Sequence, residues 1–233
     1  MANPCKQSKC ISSSSRRLED NSKRGARAIF FLKFWYILIV IVLVLSNIGL
    51  EITDSMQNVS VTNKDTIRRL YYLLMTDLIP MVGATVVCSL MFWLFFIYLI
   101  LWIHRAVKNL RYLTKTFFSP VAAVVCTALP DIGFFISGFV LWDIARHQQM
   151  LLDERGIQFS PVTKRNLVIF LVFLILGNIM VSEDITGSWP GFLAAFAVII
   201  GIMLSWLHVL RPCVEQGDKL YQLQQEETIH AKD

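Results

Sequence analysis

The chain has 233 residues, 55% of them apolar and 17% charged, and 22 basic against 17 acidic side chains give a net charge of +5. The apolar residues fall in runs of about 20, the length that crosses a hydrocarbon core of roughly 30 Å, which excludes an ordinary soluble domain. In that setting the positive charge points to basic loops held on the cytoplasmic side of a membrane, and not to nucleic acid.

Residues 1–28 carry Lys6, Lys9, Arg16, Arg17, Lys23, Arg24 and Arg27 around the run Ser12 to Ser15. Low hydrophobicity with clustered charge predicts a disordered cytoplasmic arm, read first as a solvated tail that sets orientation, with attraction to anionic lipid as the alternative. No small-residue cleavage site follows the first apolar run, so no signal peptide is expected and the run is expected to stay as a helix. It covers about 29–50, with Lys33 near enough to the end to snorkel and Trp35 and Tyr36 suited to an interfacial belt.

A polar segment follows, in which "TNKD" (Thr62 to Asp65) reads as a capping box. The second span, about 78–103, is apolar on every face. Beyond the basic stretch "HRAVKNLRYLTK" comes a broken apolar segment, 119–142, and then an amphipathic helix over 142–155 that ends at Gly156. Ser160–Pro161 has the form of a helix cap followed by proline. It precedes a third span at 166–181, and a fourth follows at 189–210. Arg211–Pro212 is expected to stop that helix and close a membrane domain of 29–212, leaving 213–233 as a polar cytoplasmic tail.

Charge decides how 119–142 meets the membrane. If it crosses, the inside carries 12 Lys and Arg and the outside 10; if it enters and returns on the same side, the counts are 19 and 3. Orientation follows the bias of Lys and Arg in short loops, so the second arrangement is favoured. Local sequence agrees: Pro130 removes a backbone donor, Asp131 suits a helix start, and Gly133 permits a close turn. A carboxylate on an uninterrupted lipid-facing helix would cost about 3 kcal/mol or more. The predicted fold is therefore an all-α integral membrane protein. It has four transmembrane helices, both termini cytoplasmic in the plasma membrane, and a Pro-broken re-entrant or interfacial helical hairpin.

Catalytic and metal chemistry find no motif. There is no H-E-x-x-H, P-loop or paired intramembrane carboxylate, and Cys5 and Cys10 have no second pair to complete a zinc site. "FISGF" places Ser137 before Gly138 in the manner of a rhomboid-type serine motif, but Phe135 stands where that motif needs glycine. Small residues at a helix contact account for the pair better. No cofactor is expected, and an enzyme is not.

Arg105 and Asn109 lie four apart on one helical face just inside the second span. They form a candidate polar cluster with Pro130, Asp131 and Asp143: Asn109 to bind the hairpin's free backbone groups, Arg105 to pair with Asp131 or Asp143. "WIHRAVKNL" has the form W-x-x-R-A-x-x-N-L from Trp102 to Leu110, followed by Ser119–Pro120, Pro130 and "LWDIAR". This order resembles a bacterial family of small multi-span membrane proteins, a domain of unknown function, over about 102–146. The chain departs from it at "FFISGFV", where a further proline would be expected. The resemblance implies architecture and singles out Arg105 and Asn109.

These readings favour a non-catalytic membrane component, embedded in the lipid bilayer, that binds a protein partner or a second copy of itself. The alternative is a small channel or transporter whose pathway includes Asp131.

Overall fold

The computed structural model describes residues 18–57, 68, 71–72, 75, 79–129, 133–182 and 189–230. The capping-box segment Thr62 to Asp65, the hairpin tip with Pro130 and Asp131, and the basic residues before Leu18 lie outside them. Within the described residues the protein is all-helical: α1 (Ser22–Gln57), α2 (Ile79–Leu113), α3 (Pro120–Ala128), α4 (Gly133–Asp153), α5 (Lys164–Ser182) and α6 (Trp189–His230). Three stretches are long and apolar enough to cross a membrane: Ser22–Leu45, Ile79–Leu113 and Leu193–His230.

Helix α1 packs along α2 and against α6, and aromatic contacts join α1 to α2 and α2 to α6. Phe31 stacks on Tyr98 at 5.3 Å between ring centroids, and Trp35 meets Phe92 at 4.9 Å. Trp206 is the junction. It makes edge-to-face contacts with Phe95 of α2 at 5.7 Å and with Phe170 of α5 at 5.0 Å. Such pairs add about 0.5–1.5 kcal/mol each beyond simple burial. Inside lipid, where apolar burial alone does not drive helices together, contacts of this kind and small residues set the packing. Gly138 is one such residue, since a Cβ there would lie 2.8 Å from the Phe170 ring. Ser137 and Gly138 are both buried at this helix contact.

The helices run further than hydropathy suggests. α1 begins at Ser22, inside the polar arm expected over 1–28, because Gly25, Ala28, Leu32 and Tyr36 form one buried stripe. Gly25 sits so close to Val214 of α6 that an added Cβ would be 2.6 Å from it. α4 is a single helix, with no break near residue 142. Its buried stripe of Ser137, Leu141, Ile144, Gln148 and Leu152 is continuous and holds one face inward throughout.

α6 passes straight through Pro212, where the last helix was expected to stop. The proline removes one backbone hydrogen bond. Burial of Leu210, Cys213, Val214, Gln216 and Leu220 on the same face offsets that loss, and Arg211 pairs with Glu215 across the site at 2.8 Å. The expected polar tail is thus a helical extension from 211 to 230.

Local caps explain the remaining boundaries. Ser119 accepts a hydrogen bond from the Ala122 amide at 3.0 Å with Pro120 at the first helical position, opening α3. Gly156, at φ 66°, closes α4 while the Ile157 amide donates back to the Leu152 carbonyl at 3.0 Å. α5 opens at Thr163, whose hydroxyl accepts from the Asn166 amide at 3.4 Å, and not at Ser160. Ser160 is used otherwise: its carbonyl accepts from the Gln216 side chain at 2.7 Å.

These contacts gather four segments at one end of the bundle. The loop after α4 lies on the α6 extension, through Lys219 to the Gln158 carbonyl at 2.6 Å and Arg155 to Glu227 at 3.4 Å. The segment before α1 lies on the same extension and on the last turns of α2. This polar end holds the candidate site.

Candidate functional site

Arg105 and Asn109 do act as a pair, but on a different partner from the one expected. Asn109 Oδ1 accepts from the Glu19 amide at 3.2 Å and its Nδ2 donates to the Glu19 carbonyl at 2.8 Å. Its amide therefore reads one residue of backbone from both sides, as a β-ladder would. Arg105 Nε meets the Glu19 carboxylate at 2.7 Å and its NH1 donates to the Asp20 carbonyl at 2.9 Å. Lys108 reaches the other carboxylate oxygen at 2.7 Å. Residues 105, 108 and 109 share one face of α2 because they are three and four apart. Together they clamp the segment Leu18 to Asn21.

The segment is fixed at further points. The Leu18 amide donates to Gln224 Oε1 at 2.7 Å, and Asn21 Nδ2 donates to the Trp102 carbonyl at 2.9 Å. Asp20 then takes the Ser22 amide at 3.0 Å and hydroxyl at 2.7 Å, while the Asn21 carbonyl accepts the first helical bond, from Gly25, at 3.1 Å. The clamp is therefore also the N-terminal cap of α1.

Asp143 serves another purpose. Its carboxylate accepts from the Phe117 and Phe118 amides at 3.2 and 3.5 Å and lies 3.2 Å from His147 Nδ1. Asp143, and not Asn109, binds the backbone leading into the α3–α4 hairpin, and Arg105 pairs with Glu19 in place of Asp143.

Behind the clamp is a partly open cavity of about 30 Å³, between the Leu18–Asn21 segment, α2, α4 and α6. Apolar side chains such as Leu18, Trp102 and Leu110 form much of its wall, and Glu19, Asn21, Asn109, Gln148 and Asp218 supply polar groups. Asn21 Oδ1 and Gln148 Oε1 are buried without a hydrogen-bond partner among the described residues.

The charges at this end are perturbed in opposite directions. Glu19 is held below its ordinary carboxyl range, first by the hydrogen bond from Lys108 and then by the charges of Arg105, Lys108 and Arg24, against a desolvation penalty. Asp20 is lowered by its hydrogen bonds from Ser22. Asp218, in the polar extension beyond the apolar part of α6, is pushed up to about 6 by burial and by the charges of Asp20 and Glu215.

Sequence reasoning missed Glu19, Lys108, Gln148 and Asp218. One signal was present: Glu19 and Asp20 are the only acids in the first 50 residues, adjacent to each other in an otherwise basic arm. Among the described residues no group of three or more His, Cys, Asp and Glu is placed to hold a metal ion. Comparison with family models, with curated proteins and with solved structures returned no match.

Replacing Asn109 with Leu leaves the Glu19 amide and carbonyl unpaired, at a cost of about 2 kcal/mol to docking of the segment. Tryptic cleavage at Lys23 and Arg24 should then rise about thirtyfold, with the fold of α2 to α6 preserved. Because the Glu19 carboxyl is lowered, its contribution is full above its ordinary value of 4.5 and is lost as pH falls below it. Hydrogen exchange over 18–28, corrected for intrinsic rate, should accelerate on that acid limb in the wild type, and Glu19→Gln should flatten it.

Proposed function

We propose that the protein is a non-catalytic, multi-pass component of the plasma membrane, whose polar end is a cytoplasmic platform for a partner. The observation that carries this reading is the α6 extension. About 20 residues continue the helix for about 30 Å beyond its apolar part, and the N-terminal segment, α4 and the loop after α4 brace it. Its last two turns expose Gln222, Gln225, Glu226 and Ile229, with Ile229 61% accessible. A rigid, braced helix presenting side chains away from its own bundle suits recognition, where rigid elements bind with less loss of conformational freedom than loops.

The topology in this reading has four spans, with α5 as the third, and both termini in the cytoplasm. Its support is of three kinds. The segments assigned to the inside by charge, namely the region before α1, the end of α2, the loop after α4 and the α6 extension, make contact with one another. α5 exposes Val168, Val172, Ile175 and Ile179 along one stripe, as a lipid-facing helix does. The α3–α4 hairpin re-enters: α3 has nine residues, about 14 Å against a hydrocarbon core of roughly 30 Å. Phe117, Val121, Val125 and Leu129 form an exposed apolar stripe along α3, with Phe117 85% accessible, which suits insertion from the interface. The likeness of 102–146 to the small multi-span family belongs to the same proposal.

A reporter fused after Gln158 should be active only in the cytoplasm; activity on the far side would replace this topology with one in which 119–142 crosses. For function, a photo-crosslinker at Gln225 in native membranes should yield one discrete adduct, lost when the exposed Ile229 is replaced with Asp. The same protein in sealed liposomes should pass no ions. Flux abolished by Asp131→Asn would establish a channel or transporter in place of a platform.

A further inference from the structure

The cavity behind the clamp has a composition that the platform reading does not use. Its polar groups include two carboxylates, and no basic side chain among the described residues lines it. Two of the groups are already engaged. Asn109 spends both ends of its amide on Glu19, and the Glu19 carboxylate is held by Arg105 and Lys108. Three oxygen donors remain: Asn21 Oδ1, Gln148 Oε1 and the Asp218 carboxylate.

The orientation of Asn21 is fixed, because its nitrogen donates to the Trp102 carbonyl and only oxygen is left to face the cavity. Gln148 is 2% accessible, and its amide lies against Gly217, where an added Cβ would come within 3.0 Å of the side-chain nitrogen. A larger residue at 217 would displace Gln148 from this position. A buried carbonyl without a donor is costly, and two beside a half-buried carboxylate are more so. Yet the fold brings them together from three separate elements.

From this geometry we propose that the cavity is a binding site for one monovalent inorganic cation, of the sodium or potassium class. The ion would tie the Leu18–Asn21 segment to α4 and α6 through Asn21, Gln148 and Asp218. Hard oxygen ligands suit such an ion, and a cavity of about 30 Å³ has room for one. Two neutral carbonyls and one free carboxylate carry a single net negative charge, which matches a monovalent ion. Divalent sites of this kind recruit several carboxylates, and no such group occurs among the described residues. Asp20 and Glu215 also act on Asp218, and both are acidic, so a cation relieves their mutual repulsion as well. Protons compete for the same carboxylate, whose burial raises it to about 6.

The test uses the full chain in nanodiscs of zwitterionic lipid. Thermal unfolding is followed at pH 7.5 in sodium, potassium or N-methyl-D-glucamine chloride at one ionic strength. One of the small cations should raise Tm saturably by about 3 °C. Gln148→Leu and Asp218→Asn should each remove the rise, and so should pH 5. Equal Tm in all three salts would mean a lone water in the cavity and overturn the proposal, as would a rise that persists in both variants. Equilibrium binding of radiolabelled sodium or rubidium to the wild type keeps the test decisive if a variant fails to fold. One saturable equivalent per chain, displaced by acid, is expected, and non-saturable uptake overturns the site.

Discussion

Docking of residues 18–21 is the constraint on which the polar end depends. Ordering four residues costs roughly 4–8 kcal/mol of backbone freedom. Against it stand the hydrogen bonds from Leu18, to and from Glu19, from Arg105 to Asp20 and from Asn21. At about 1 kcal/mol each these supply roughly 5 kcal/mol. The two ion pairs on Glu19 add little, since its side chain is 38% exposed and such pairs are worth about 0.2–1 kcal/mol. Burial of Leu18, 6% accessible, contributes about 2 kcal/mol more. The sum is close to balance, so every one of these contacts matters and the loss of one releases the segment.

That near-balance links elements far apart in the chain. The segment caps α1, covers the last turns of α2 and touches α6 at Gln224. Releasing it would uncover Trp102, Leu110, Val214 and Leu220, which are buried now. The hairpin is held by a separate device, Asp143 on the Phe117 and Phe118 amides. The two halves of the polar end are therefore joined through α2 and α4, not through a shared charge network.

How much of this was legible follows from how local each cause is. Gly156 acts within its own turn, and the helix end there was readable; Ser119 caps α3 by equally local chemistry. Arg105 and Asn109 were recognisable from their four-residue spacing, but their partner Glu19 is about 90 residues away in sequence. It sits in a stretch whose composition reads as a solvated arm. Burial of Ala28 and Leu32 against other helices overrode that composition, and the same effect carried α6 through Pro212. Proline is a strong local signal, but here a buried stripe running past it on the same face outweighs one missing hydrogen bond. Ser160 failed as a cap for a related reason, since its carbonyl is taken by Gln216.

The acidic pair Glu19 and Asp20 shows why such a segment is built with charge and not with apolar residues alone. Four basic residues precede Leu18, so Glu19 and Asp20 form an acidic boundary between a basic stretch and the apolar part of α1. A purely apolar lead-in to α1 would extend the first span and slide into the bilayer. The Glu19 carboxylate, facing Arg105 and Lys108, opposes that slide. Moving the segment deeper would strip Glu19 of its partners and of water together, and a lone buried carboxylate is the costliest state available to it. The clamp thus sets where α1 begins relative to the membrane surface, and with it the register in which α1, α2 and α6 bring Phe95, Tyr36 and Trp206 into one core.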